Sequence, residues 1–143
     1  MKIIVSACLL GDNVKYNGGN NLNTDLINFL KDYEVIKVCP ECFGNLPIPR
    51  SPSEIVDDKV YSKDGIDVTD EFNLGANKTL KIAKENNIKI AILKSNSPSC
   101  GSGMIYDGTF THNLVNGDGI TAKLLKENGI MVFNEENYFE IKK

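Results

Sequence analysis

Four short runs of apolar, mostly β-branched residues recur along the chain, at 2–6 (KIIVS), 34–38 (EVIKV), 88–94 (IKIAILK) and 130–133 (IMVF). Runs of this length, bounded by polar and turn residues, read as strands, and near-continuous apolarity marks strands buried on both faces. Between them the period changes. Leu26, Ile27, Phe29 and Leu30 make 23–31 a short helix. Phe72, Ala76, Leu80 and Ala83 predict a long helix over 67–87 with a lysine-rich outer face, capped by Asp67 or Thr69. A further helix over 118–128 starts near Asp118 and stops before Gly129, and a last short one is expected over 135–141. Residues 39–54, with prolines at 40, 47, 49 and 52, read as an irregular loop, and loops of that length are usually functional or disordered. Strands alternating with helices imply crossovers and a parallel sheet covered on both faces. The expected fold class is α/β: a single compact Rossmann-like three-layer domain over 1–143, with a mostly parallel sheet of about four strands.

Size and charge narrow the function. A chain of 143 residues buries a core without disulfide staples. The net charge is −3 and no long basic run occurs, so no nucleic-acid partner is expected. No apolar stretch approaches the ~20 residues of a membrane span. The first residues, MKIIVSACLLGD, have strand character and lack a small-residue cleavage site, so they read as the first strand and not as a signal peptide. The expected location is cytoplasmic. Thiols stay reduced there, so the four cysteines point to metal or catalysis before disulfides.

Three of those cysteines, Cys8, Cys39 and Cys100, lie just past the ends of apolar runs. In a parallel α/β sheet the carboxyl ends of the strands share one edge, and ligands bind there. A single cysteine is more often a small buried hydrophobe; three at three strand ends favour a site of converging thiols. Cys39-Pro-Glu-Cys42 adds a C-x-x-C. Spacing leaves three choices open: a four-cysteine structural zinc site, a redox dithiol, or an iron–sulfur cluster held by three cysteines with one iron open. Around Cys100 the loop NSPSCGSG supplies hydroxyls and permissive glycines, with Ser97 or Ser99 placed to hydrogen-bond a substrate and Gly101 to offer its N–H. Glu41, between the paired cysteines, is an acid/base candidate. Arg50 is the only arginine beside fifteen lysines, a planar fork for a substrate or, in the blander reading, a tie to Glu54. His112, the sole histidine, reads as a surface residue.

The strings VSACLLG, CPE, LPIPRSPSEI, DVTDEF, SNSPSCGSGMIYDGTF and GDGITAKLL, in this order, resemble the thiouracil desulfidases, a bacterial family long called a domain of unknown function. The resemblance runs from about Val5 to Phe133. It implies an enzyme that removes sulfur from a thiolated, nucleobase-like small molecule without net redox change, converting C=S to C=O. It implies a [4Fe-4S] cluster on Cys8, Cys39 and Cys100, with Glu41 and Ser97 catalytic and Ser99 close by; Arg50 and Gly101 are expected at the substrate from their own chemistry and place in the loops. The sequence departs from the family pattern at Cys42, at Gly44-Asn45 and at His112. Cys42 matters most, because a fourth thiolate would close the open iron; it is expected to stay off the cluster. The rival readings are a sulfurtransferase with the same cofactor and a non-catalytic four-cysteine zinc module.

Overall fold

The computed structural model describes residues 1–141. Its elements in chain order are β1 (Lys2–Ser6), α1 (Thr24–Phe29), β2 (Glu34–Val38), α2 (Pro40–Phe43), β3 (Ser53–Val56), β4 (Lys59–Ser62), α3 (Thr69–Glu85), β5 (Ile90–Ile92), β6 (Met104–Tyr106), β7 (Leu114–Asn116), α4 (Ile120–Glu127) and β8 (Met131–Phe133). The main sheet has four parallel strands in the order β2-β1-β5-β8. The α/β class with a parallel sheet of about four strands is therefore observed.

Alternation along the strands sorts the core into two layers. Ile4, Ala91 and Leu93 point to the face covered by α3 and α4, where they meet Ala83, Ala122 and Leu125. Ile3, Val5, Ile90 and Ile92 point to the opposite face, against Leu26 and Leu30. The central strands β1 and β5 are buried on both sides, which is why their sequences are nearly continuous in apolar residues.

Four expectations are corrected. The stretch after Cys39 is not wholly irregular: Pro40 opens the single turn α2, where its fixed φ and missing N–H suit the first helical position. Two hairpins, β3–β4 and β6–β7, are additional. The end of the chain forms a 3-10 turn over Tyr138–Glu140 in place of a helix over 135–141. Neither Asp67 nor Thr69 caps α3, whose N-cap is Val68. Asp67 accepts the Thr69 N–H, and the Thr69 hydroxyl accepts the Val60 N–H and so ties the helix entry to β4. No helix among the described residues is long and apolar enough to cross a membrane.

Candidate active site

The sheet delivers three thiols to its carboxyl edge. Cys8 lies in the 3-10 turn Ala7–Leu10 that follows β1. Cys39 follows β2 and is the N-cap of α2. Cys100 sits in the loop after β5, and α4 holds that loop. The N–H groups of Ile120 and Thr121, unpaired within a helix's first turn, donate to Pro98 O and Ser99 O at 2.8 and 2.9 Å. Gly119 is required at this join, because a Cβ there would lie 2.6 Å from the Ser99 carbonyl. All three cysteines line one cavity of about 360 Å³, together with Glu41, Arg50, Ser97 and Ser99. Cys42 does not line it.

Each sulfur has a donor aimed at it. The Asn21 side-chain amide donates to Cys8 Sγ at 3.4 Å. The Ser6 hydroxyl accepts the Lys94 N–H and donates to Cys100 Sγ at 3.7 Å. The Cys42 N–H and thiol are neighbours of the Cys39 thiol. These donors do not offset desolvation. Burial pushes the Cys39 thiol up to about 12, with the Cys42 N–H opposing, and the Cys100 thiol up to about 11, with Ser99 and Ser6 opposing. Burial also raises Cys8, against Asn21 and Lys94. A pocket of neutral, donor-lined thiols becomes a thiolate pocket only when a cation arrives to compensate the buried charge.

The donor set discriminates between metals. Among the described residues no three Cys, His, Asp or Glu side chains are grouped to hold a single ion. The compact tetrahedron of a structural zinc site is thus not prearranged. Three soft thiols spread around a wider cavity suit an iron–sulfur cluster, whose thiolates bind separate irons. The residues present fit that group.

Beside the thiols runs a chain of hydroxyls. The Cys100 N–H donates to Ser97 Oγ at 2.7 Å. Ser97 Oγ lies 3.3 Å from Ser99 Oγ, and Ser99 donates to Glu41 Oε2 at 3.1 Å. With the Ser99 proton directed at Glu41, the Ser97 hydroxyl is the donor to Ser99 or to a ligand in the cavity. Arg50 holds the other carboxylate oxygen, Nε to Oε1 at 3.1 Å. Its remaining nitrogens donate to Pro47 O and Val14 O.

A family model described as 2-thiouracil desulfurase matches residues 3–137. The chain belongs to the 2-thiouracil desulfurase family. It is similar to the uncharacterized protein YbbK of Bacillus subtilis (strain 168), 40% identical over 149 residues, covering 97% of this chain and 99% of the relative. It is also similar to the solved structure of the [4Fe-4S]-dependent thiouracil desulfidase TudS, with a TM-score of 0.92 and 42% identity over 97% of this chain and 93% of that one.

Within this family member one of the residues expected near the substrate takes another place. Gly101 does not line the cavity, and its N–H donates to Ser97 O at 2.9 Å. A Cβ there would lie 2.7 Å from that same oxygen, so the glycine lets the loop close behind Cys100. Arg50 reaches the cavity, but every side-chain nitrogen bonds Glu41 or backbone carbonyls; its acidic partner is Glu41 and not Glu54. Glu54 is buried and its Oε1 accepts the N–H groups of Gly108 and Phe110. That clamp draws the β6–β7 hairpin loop over the site, bringing Tyr106, Phe110 and an exposed His112 to its mouth.

Residues that the sequence reading passed over include Ser6, Asn21, Lys94 and Glu135. Lys94 lines the cavity and pairs with Glu135 at 2.7 Å. Ser6 and Lys94 carried a signal, since both flank strand ends that deliver cysteines. Asn21 and Glu135 carried none; only the fold brings them in.

Proposed function

We propose that this protein catalyses the hydrolytic, non-redox removal of sulfur from a 2-thiouracil-type heterocycle, C=S plus water giving C=O plus hydrogen sulfide, with a [4Fe-4S] cluster held by Cys8, Cys39 and Cys100. When bound, the cluster supplies an open iron, a soft Lewis acid for the thiocarbonyl sulfur that leaves its carbon electrophilic. The observation that carries the reading is the placement of three thiols and an oriented carboxylate–hydroxyl chain on one cavity wall.

The protein's own groups do the proton work. Glu41 is locked by Arg50 on one oxygen and by Ser99 on the other, yet each oxygen keeps a lone pair for a water proton. A carboxylate so oriented is a general base that needs no rearrangement before reaction. Ser97, fixed through the Cys100 N–H, offers its hydroxyl to the ring, and Ser99 links it to Glu41. The aromatic mouth of Tyr16, Tyr106 and Phe110 suits a planar heterocycle. Cys42, outside the cavity wall, leaves the fourth iron open. The site calls for reduced thiols, in keeping with a cytoplasmic protein.

The deciding experiment reconstitutes the purified chain anaerobically with iron and sulfide and supplies 2-thiouracil. The expected products are uracil and free sulfide in equal amounts over many turnovers. A fully loaded protein that forms neither would overturn the proposal.

A further inference from the structure

Cys42 is the one cysteine that the active site does not use. It stands at a position where the resemblance predicts another residue, and it is not a lone thiol. Cys39 is the N-cap of α2 and Cys42 is three residues on, in its single turn. The Phe43 N–H donates to Cys39 O at 2.9 Å, which closes the turn. The Cys42 thiol is a neighbour of the Cys39 thiol. Cys39 at the N-cap has an extended backbone, with φ of −134° and ψ of 95°, and an N-cap side chain folds over the first turn toward the residue three on. Side-chain rotation and a small adjustment of the single turn bring the two sulfurs to bonding distance. Both residues are half-buried, and Cys39 opens onto the cavity, through which a small oxidant reaches it.

We propose that Cys39 and Cys42 form a reversible intrachain disulfide in the cluster-free protein, with a low-molecular-weight disulfide such as oxidised glutathione as the oxidant. Cys39 sulfur attacks the oxidant, its S–S bond breaks, and one glutathione thiol leaves. Cys42 sulfur then attacks Cys39 sulfur in the mixed disulfide and releases the second. The two cysteines lose two electrons, the oxidant gains them, and the two cysteine protons end on the two released thiols. Disulfide formation withdraws Cys39 from the ligand set, so the oxidised chain cannot take up a cluster until a dithiol reduces it. The device protects Cys39 from irreversible over-oxidation. This consequence rests on Cys39 being a ligand; the disulfide itself does not. The burial that disfavours the Cys39 thiolate leaves the reduced pair without charge stabilisation and slows exchange, so the equilibrium and not the rate is the quantity to read.

The test uses the full cluster-free chain, held anaerobically in buffers of stepped oxidised-to-reduced glutathione ratio and then alkylated. Mass spectrometry is expected to show the four alkylatable thiols falling to two, with peptide mapping joining Cys39 to Cys42. Four thiols retained in fully oxidised glutathione, or a bond to Cys8 or Cys100, would overturn the proposal. In C42S the two-thiol loss is expected to vanish. Iron loading is expected to be blocked in the oxidised wild type, restored by dithiothreitol, and unaffected by oxidised glutathione once the C42S thiols have been freed of mixed disulfides. A C42S chain that cannot load iron even when reduced would count against the three-ligand reading, whereas unmoved thiol counts count against the disulfide, so the two failures are distinguishable.

Discussion

The lone arginine shows how one side chain decides whether a carboxylate is merely present or usable. Arg50 donates through Nε to Glu41 and through its two terminal nitrogens to carbonyls of two separate loops, while its own N–H donates to Tyr16 O at 2.7 Å. The guanidinium is thus a fixed bracket between loops 14–16 and 47–50 and the Glu41 carboxylate. Lysine, a point charge on a flexible stem, cannot satisfy three directions in one plane, so fifteen lysines elsewhere offer no substitute. Glu41→Gln is expected to lower turnover of 2-thiouracil by about 10²–10⁴-fold, the usual size of a general-base contribution. Arg50→Lys keeps the charge and loses the alignment, and is expected to cost about 10²-fold, the scale of a one-ångström misplacement. Both are read as turnover per loaded cluster, with iron and sulfide content measured alongside. An Arg50→Lys enzyme with wild-type turnover would remove the positioning role. At this scale much was legible: residue types and their place after strands singled out Cys8, Cys39, Cys100, Glu41, Arg50, Ser97 and Ser99. What pattern does not carry is partner choice. Glu54 lies four residues from Arg50 and Glu41 nine, yet the fold gives Arg50 to Glu41 and assigns Glu54 to the hairpin clamp.

Cys39 and Glu41 both ride on α2, a single turn that owes its position to α3. The contact is made by two glycines. A Cβ on Gly75, inside α3, would lie 1.8 Å from Pro40 O, and one on Gly44 would lie 2.0 Å from Glu71 O. In an exposed helix interior, glycine to alanine gains ~1 kcal/mol in propensity. Here overpacking costs ~1–3 kcal/mol and falls on backbone that has nowhere to go, so the clash prevails. Gly75→Ala is expected to remain helical by circular dichroism, to be less stable by about 1–2 kcal/mol, and to lose cluster occupancy, because the carbonyl that must move belongs to the residue between Cys39 and Glu41. Gly65→Ala, at a position with open space but φ of +82°, isolates ordinary backbone strain and is expected to keep its cluster. Equal iron content in the two variants would refute the docking role of Gly75. The long helix was legible because its apolar period, Phe72 to Ala83, repeats over about three turns. The single turn α2 lacks a period, and the hairpins β3–β4 and β6–β7 pair strands of three or four residues, too short to stand out from surrounding polar chain.

Across the whole molecule, all four carboxyl ends of the main sheet serve the same edge: β1 leads to Cys8, β2 to Cys39, β5 to Lys94 and Cys100, and β8 to Glu135. The parallel sheet was readable from strand–helix alternation, and with it the edge on which the thiols gather. The contribution of β8 was not, because residues past it suggested a helix. Instead Asn134 and Asn137 bond each other's segments and turn Glu135 back over the sheet end. There it accepts from the Ser95 N–H and hydroxyl at 2.8 and 2.9 Å and pairs with Lys94. Burial alone would raise the Glu135 carboxyl, but the bonds from Lys94 and Ser95 outweigh it and hold the group below its ordinary value of 4.5. The sign of the pH dependence follows. A carboxyl whose folded pKa is depressed stabilises the fold fully above its unfolded value, near 4.5, and loses that contribution as pH falls through the lower folded value. Glu135→Gln is therefore expected to be less stable than wild type by about 1–2 kcal/mol at neutral pH, the scale of a hydrogen bond to a charged group. The deficit is expected to shrink below pH 4.5 and approach zero once the wild-type carboxyl is also neutral. Asp67, Asp107 and Asp118 are depressed as well, but they titrate in both proteins and cancel in the difference. Urea unfolding of the cluster-free chains at stepped pH measures that difference directly. A deficit that stays constant down to pH 3 would mean that Glu135 acts through packing alone, and that the fourth strand end closes the sheet edge without any charge.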